Sequence, residues 1–125
     1  MNTLPKISDA EWEVMKVIWD KAPITANEVV EEISEQNDWN HRTTRTLLNR
    51  LVKKGAVKFQ AEGKRYLFSP KISKEECIKC ESQSFLNRVF DGEASPLLAH
   101  FVKHRILSKS EMEELKNILI KKETP

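Results

Sequence analysis

The stretch WNHRTTRTLLNRLVKKGAVKFQAEGKRYLFSP, residues 39–70, decides the architecture. It reads as a helix, a stop and a hairpin. Asn40 stands where an N-cap belongs, Leu47, Leu48, Leu51 and Val52 recur on one helical face, and Gly55 supplies the stop. Two alternating runs come next, Val57–Gln60 and Arg65–Phe68, joined by Ala61-Glu62-Gly63-Lys64, in which Gly63 can take the positive φ of a connecting turn. Eight Lys and Arg (42, 45, 50, 53, 54, 58, 64 and 65) against the single acid Glu62 give this window a charge of +7. Residues 1–38 hold three basic and nine acidic side chains, so a formal net charge of +2 for the chain conceals a sharp segregation. A basic helix with a basic hairpin points to a nucleic-acid face.

Upstream, Ile7-Ser8-Asp9-Ala10-Glu11-Trp12 carries the signals of a helix start: Ser8 as cap, Glu11 closing a capping box, and Ile7 stapled to Trp12. Trp12, Met15 and Trp19 are expected to face inward, with Glu11, Glu13, Lys16 and Asp20 in water. Pro23 breaks the pattern. Thr25 and Glu28 then form a second box, launching a helix with Val29, Val30 and Ile33 inside and Glu28, Glu31, Glu32 and Glu35 outside. That acidic face would repel DNA, so the next helix is the reading one. It presents Arg42, Thr43, Thr46, Asn49, Arg50 and Lys53 opposite its leucines, with Arg45 on the flank, and such side chains reach base edges and phosphates from a major groove. Lys58, Lys64 and Arg65 make the hairpin a wing against the backbone, and His41 in the helix's first turn contacts phosphate or solvent.

Beyond Pro70 only helices are expected. Ser73 to Glu76 is a third box, opening a helix with Ile78, Phe85, Leu86, Val89 and Phe90 that stops at Gly92. Ser95-Pro96 places a cap and a first-turn proline before Leu97, Leu98, Phe101 and Val102. Ser108 to Glu111 starts a last helix with Met112, Leu115, Ile118 and Leu119 inward. We therefore divide the chain into residues 1–70, a winged helix-turn-helix DNA-binding domain, and 71–125, a helical dimerisation domain; the class is mainly α with a small β-hairpin. The second part is marginal alone, and a two-fold partner is the common remedy. Its dimerisation set is Phe85, Leu86, Val89, Leu97, Leu98, Phe101, Leu115, Ile118 and Leu119.

At 125 residues, 39% hydrophobic and 32% charged, the composition is that of a globular protein. No apolar run reaches the ~20 residues of a membrane span and no apolar signal-peptide core opens the chain, so a cytoplasmic location is expected. Glycines occur only at 55, 63 and 92, leaving none for a phosphate-cradling loop, and neither a nucleophile motif nor a distinctive carboxylate pair is present. No enzyme and no cofactor are expected. Cys77-Ile78-Lys79-Cys80 with His100 and His104 has the ligand types of a zinc site. However, Cys77 sits where the helix needs a small hydrophobe to staple onto Ile72, and the gap between the pairs exceeds that of short zinc fingers, so no metal is assigned. The competing reading is a metal- or thiol-responsive sensor working through Cys77 and Cys80.

Ile7-Ser8-Asp9-Ala10-Glu11-Trp12-Glu13-Val14-Met15, Asp38-Trp39, Arg45-Thr46-Leu47, Arg50-Leu51-Val52-Lys53-Lys54-Gly55 and Glu113-Glu114-Leu115-Lys116-Asn117-Ile118-Leu119 closely resemble the penicillinase-repressor family, the BlaI/MecI/CopY group. The resemblance spans nearly the whole chain. It implies a homodimeric winged-helix repressor of β-lactamase-type resistance genes, bound to double-stranded operator DNA and released when a membrane β-lactam sensor leads to its cleavage in the dimerisation domain. It also implies the cut: the matching bond is His100-Phe101, where the family's usual residue before the phenylalanine is asparagine. The copper-responsive branch carries two Cys-x-Cys pairs near its C-terminus, which this chain lacks.

Overall fold

A computed structural model of the chain describes residues 4–123. Each of its first three helices starts at a side-chain cap. Ser8 Oγ accepts from Glu11 N and Glu11 Oε1 accepts from Ser8 N, opening α1 (Asp9–Lys21). Thr25 and Glu28 close the same reciprocal box at α2 (Ala26–Gln36), and Asn40 Oδ1 accepts from Thr43 N at α3 (His41–Lys54). Such caps satisfy N–H groups that a helix leaves without internal partners. Gly55 ends α3 at φ +81°, a left-handed conformation that a side chain would strain. The chain then enters β1 (Val57–Glu62) and returns through β2 (Arg65–Pro70), antiparallel, with Phe59 opposite Phe68 and Glu62 opposite Arg65. Both strands are longer than expected, and only Gly63-Lys64 is left as the turn. The added residues pair within the hairpin itself, Ala61 and Glu62 with Tyr66 and Arg65, and Ser69 and Pro70 with Lys58 and Val57. Ile24 and Phe68 exchange two further hydrogen bonds (3.1 and 2.7 Å), and Lys71 N donates to Ala56 O.

Val14, Met15 and Ile18 of α1, Val29 and Ile33 of α2, Leu47, Leu48 and Leu51 of α3, and Val57 and Phe68 of the hairpin form one core. Val30 is buried too. The inward face of α1 is centred between the expected tryptophans rather than on them. Trp12 and Trp19 are half-buried at its rim, rings 5.4 Å apart, and Trp19 Nε1 donates to Ile72 O at 3.0 Å. Thr44 joins the leucines on the buried side of α3.

Glu11 corrects the sequence reading. Expected in water, it is 1% exposed, because its second role, beyond the capping box, is to receive the Lys54 ammonium at 2.5 Å. Lys54 also donates to Lys6 O. One residue counted toward the basic window thus points at a buried carboxylate.

The chain divides into two units, a first ending at Cys80 and a second beginning at Glu81, so the division lies inside α4 (Lys74–Phe90) rather than at Pro70. Cys77 is buried and Ile72 packs against the first unit's core, which places the opening turn of α4 with that unit. Ser73 Oγ accepts from Glu76 N there, half of the expected box, whereas Ser108 and Glu111 close a full one before α6 (Lys109–Glu123). The expected Ser95 cap is overturned. α5 (Ala94–Lys103) begins earlier, after Glu93, because Asp91 (φ 53°) and Gly92 (φ 83°) have already reversed the chain. Pro96 falls in the first turn, where a missing N–H costs no helical bond. Met112, Leu115, Ile118 and Leu119, expected inward, are exposed, because the second unit encloses no buried core of its own.

Burial pushes the Glu11 carboxyl up, but the Lys54 and Ser8 hydrogen bonds outweigh it and hold the carboxyl below its usual range. A carboxyl depressed in the folded state contributes stability that is complete above its unfolded value, ~4.3, and is lost as pH falls through the lower folded one. Lys54→Met is expected to cost about 1–3 kcal/mol at pH 7, because it strands a buried carboxylate. The loss should shrink as the pH falls and Glu11 protonates. Urea melts of both proteins at pH 7 and pH 3.5 check this; a loss equal at both would make Lys54 a packing residue only.

Candidate nucleic-acid interface

The apolar face of α3 is held inward by Leu47, Leu48 and Leu51, and a helix so pinned turns its remaining residues outward by periodicity alone. Arg42, Thr43, Arg45, Thr46, Asn49, Arg50 and Lys53 are all exposed. They form one continuous surface along the helix. Arg45 leans toward α2, where its guanidinium donates to Asn27 Oδ1, linking the flank of α3 to the first turn of the preceding helix. Asn27 was not legible as part of this surface, since nothing in its local sequence indicates a bond across eighteen residues.

Alternation along the hairpin decides which wing residues share that surface. Lys64 in the turn and Arg65 beside it line a groove of about 370 Å³ together with Arg45 and Asn49 of α3 and Thr25, Ala26 and Asn27 at the start of α2. Thr25's hydroxyl and backbone N–H, with Arg65 nearby, hold the Glu28 carboxyl below its usual range, so Glu28 is an anion at the edge of this groove. Arg65 also pairs with Glu62 at 3.3 Å across the turn. Lys58 is exposed and alternates with Phe59, lining a depression with Phe59, Gln60, Leu67 and Ser69 that includes neither Lys64 nor Arg65. A second groove, about 530 Å³, lies between Asn49, Val52 and Lys53 of α3 and Phe59, Tyr66 and Phe68 of the hairpin. Its exposed aromatic rings form part of the surface that the charge-based reading passed over. The alternation of β1 and β2 carried the signal, since it sets Phe59 and Tyr66 on the same face as core Phe68.

In the second unit His100 is exposed and Phe101 half-buried on α5, with His104 capping that helix and its ring 4.3 Å from that of His100. Of the expected dimerisation residues, Leu86, Leu97 and Phe101 are half-buried, while Phe85, Val89, Leu98, Leu115, Ile118 and Leu119 are exposed. Cys77 is buried and Cys80 exposed. Among the described residues no three His, Cys, Asp or Glu side chains gather closely enough to hold a metal ion, and no helix is long and apolar enough to cross a membrane.

The chain is 42% identical to the penicillinase repressor of Bacillus licheniformis over 119 residues, covering 95% of this chain and 93% of that protein. It is 40% identical to the methicillin resistance regulatory protein MecI of Staphylococcus aureus over 121 residues, covering 97% and 98%. Among solved structures it resembles the monomeric form of Bacillus licheniformis BlaI in complex with the blaP half-operator, with a TM-score of 0.54 and 45% identity over 61% of this chain and 93% of that one. Residues 7–121 match the family model described as penicillinase repressor. With a helix-turn-helix and wing in its first unit and this match over most of its length, the chain belongs to the penicillinase repressor family.

Proposed function

We propose that this protein is a dimeric transcriptional repressor of β-lactam-resistance genes that binds a palindromic operator, each α3 lying in a major groove. The observation that carries this reading is the seven-residue exposed polar face of α3, flanked by Lys64 and Arg65 of the wing. Arg42 and Arg50 anchor the helix, and Thr43 and Thr46 meet base edges or thymine methyl groups. Lys64 and Arg65 hold the phosphate backbone. Lys58, on the separate depression, contributes less.

Binding measured against salt separates these roles. Each phosphate contact removed lowers the slope of log K against log salt by about 0.9, so replacing Lys64 and Arg65 by Ala should lower it by about 1.8 and weaken all sequences alike. Thr46→Ala should instead cut operator affinity by about tenfold while leaving random DNA bound as before. Equal losses on both DNAs would remove Thr46 from base readout.

The second unit supports the dimer through its exposed apolar side chains, which need a partner surface. Joining two modest DNA-binding modules raises overall affinity by roughly 10² to 10⁴. Truncation after Cys80, which keeps Ile72 and Cys77 with the first unit, should give a folded monomer weaker by about that factor. Sedimentation and anisotropy measure both properties; a truncated chain as tight as the whole would contradict the dimer.

Release comes from cutting His100-Phe101 in response to a membrane β-lactam sensor. Phe101 forms this bond and Leu97 lies a turn before it, and burial of each such side chain is worth ~1.5–3 kcal/mol, so a severed α5 weakens the dimer. Cells given a β-lactam should accumulate a fragment ending at His100. Induction of the target genes with the chain intact would reject cleavage.

A further inference from the structure

Charge alone leaves two large side chains of the hairpin without a role. Phe59 and Tyr66 are 51% and 54% exposed, although aromatic rings carry some of the largest driving forces for burial. They stand together: the Phe59 ring meets Tyr66 edge-on at 5.1 Å and tilts against Phe68 at 5.8 Å. Phe68 anchors the pair to the core, so the rings are presented on a supported surface. Across the groove of about 530 Å³ stand Asn49, Val52 and Lys53 of α3. One wall is therefore apolar and aromatic, while the other offers an ammonium and an amide.

A sugar-phosphate strand has the matching chemistry, with anionic phosphates alternating with the apolar faces of deoxyriboses. Position agrees with chemistry. The edge of a major groove is a backbone strand, so a helix inserted in that groove and a hairpin beside it must have a strand passing between them. The approach is cationic on both sides, with Arg50 and Lys53 on the helix and Lys64 and Arg65 at the hairpin end. We propose that this groove seats one strand of the operator, Lys53 and Asn49 taking a phosphate while Phe59 and Tyr66 cover the adjoining deoxyribose. The inference rests on the DNA-binding reading and adds to it an apolar, sequence-independent contact. Its thermodynamic mark is distinct: covering a sugar expels water but releases no counterion, so the rings add affinity without steepening the salt dependence.

The test uses the full chain and operator DNA between 50 and 200 mM salt. Tyr66→Ala and Phe59→Ala are expected to weaken binding by about tenfold at every salt with the slope unchanged, whereas Lys53→Ala should lower the slope by about 0.9. Because Phe59 leans on core Phe68, Phe59→Leu serves as the folding control and should restore most of the affinity. Tyr66 is the only tyrosine, so 3-fluorotyrosine gives a single ¹⁹F resonance. That resonance should shift on adding DNA and lose its difference between H₂O and D₂O as the ring is desolvated. Wild-type affinity in Tyr66→Ala with an unmoved ¹⁹F signal overturns the proposal. So does a joint loss of affinity and slope, which would make the rings mere props for the basic side chains. A resonance that moves with benzoate but not with DNA would make the groove a small-molecule pocket and reject the strand. If the wild type binds no operator at all, the repressor reading fails and this groove with it; wild-type binding with unaffected variants fails the groove alone.

Discussion

The first unit depends on a buried carboxylate. Glu11 accepts from Ser8 N at the beginning of α1 and from Lys54 Nζ at the end of α3, so it ties the start of one helix to the finish of another forty-three residues later. The ammonium lies in the last turn of α3, where a cation also favours the negative end of the helix dipole. Fixing this end also sets the course of the chain beyond it: Gly55 reverses the backbone at once, Ala56 and Val57 are buried, and the hairpin leaves α3 at a position already determined. Ile24 and Phe68 hold the far strand from the other side through their paired backbone bonds. The wing is thus held at its base by one charged and one backbone constraint. Its tip, Gly63-Lys64, and the strand ends beside it remain open to solvent, while Val57 and Phe68 are buried.

Charge is arranged on the same frame. α2 packs Val29, Val30 and Ile33 inward and leaves its glutamates outside, whereas α3 packs leucines inward and leaves arginines and polar groups outside. Two neighbouring helices of opposite surface charge orient the domain in the field of an anionic polymer, since the acidic helix is repelled from the surface its neighbour approaches. The Arg45–Asn27 bond crosses this boundary at the start of α2, away from most of its glutamates. Lys21 pairs with Glu32 at 2.6 Å, balancing part of the acidic face between α1 and α2.

How much the sequence discloses depends on the range of the interaction. Capping boxes at Ser8, Thr25 and Ser108 were readable because donor and acceptor lie three residues apart, and so was the stop at Gly55, which only a left-handed residue satisfies. The outward face of α3 was readable because three leucines determine it. Glu11 misled because its local pattern is complete without Lys54, and only the fold brings the two together. Ser95 misled for a related reason: a serine before a proline resembles a start, but Asp91 and Gly92 reverse the backbone earlier and the helix takes Ala94 instead. The bridge from Ile24 to Phe68 was not readable, because it joins the hairpin to a residue forty-four positions earlier that no local pattern marks. Phe59 and Tyr66 were visible as letters, yet their exposure depends on where α3 stops covering them. The likeness to a known repressor family was legible from short motifs spread along the chain, and the match over residues 7–121 bears it out.

The second unit obeys a different constraint. The residues that form the core all belong to the first, and beyond Glu81 the apolar side chains are at best half-buried. A unit of this size cannot enclose a core by itself; below about 40 to 60 residues, disulfides, metals or association make up the deficit. In the dimer we propose, association makes it up, so the folding of this unit and the concentration of the chain become one equilibrium. A change of about 1.4 kcal/mol in its packing is then a tenfold change in dimerisation, and avidity passes that change on to the operator. The first unit has its own closed core and a wing held by backbone bonds to Ile24. In that proposed dimer sensitivity resides in α5 and α6, whose apolar side chains are at best half-buried within one chain, and under the cleavage we propose a single broken bond there alters occupancy of the operator without disturbing any residue proposed to touch it.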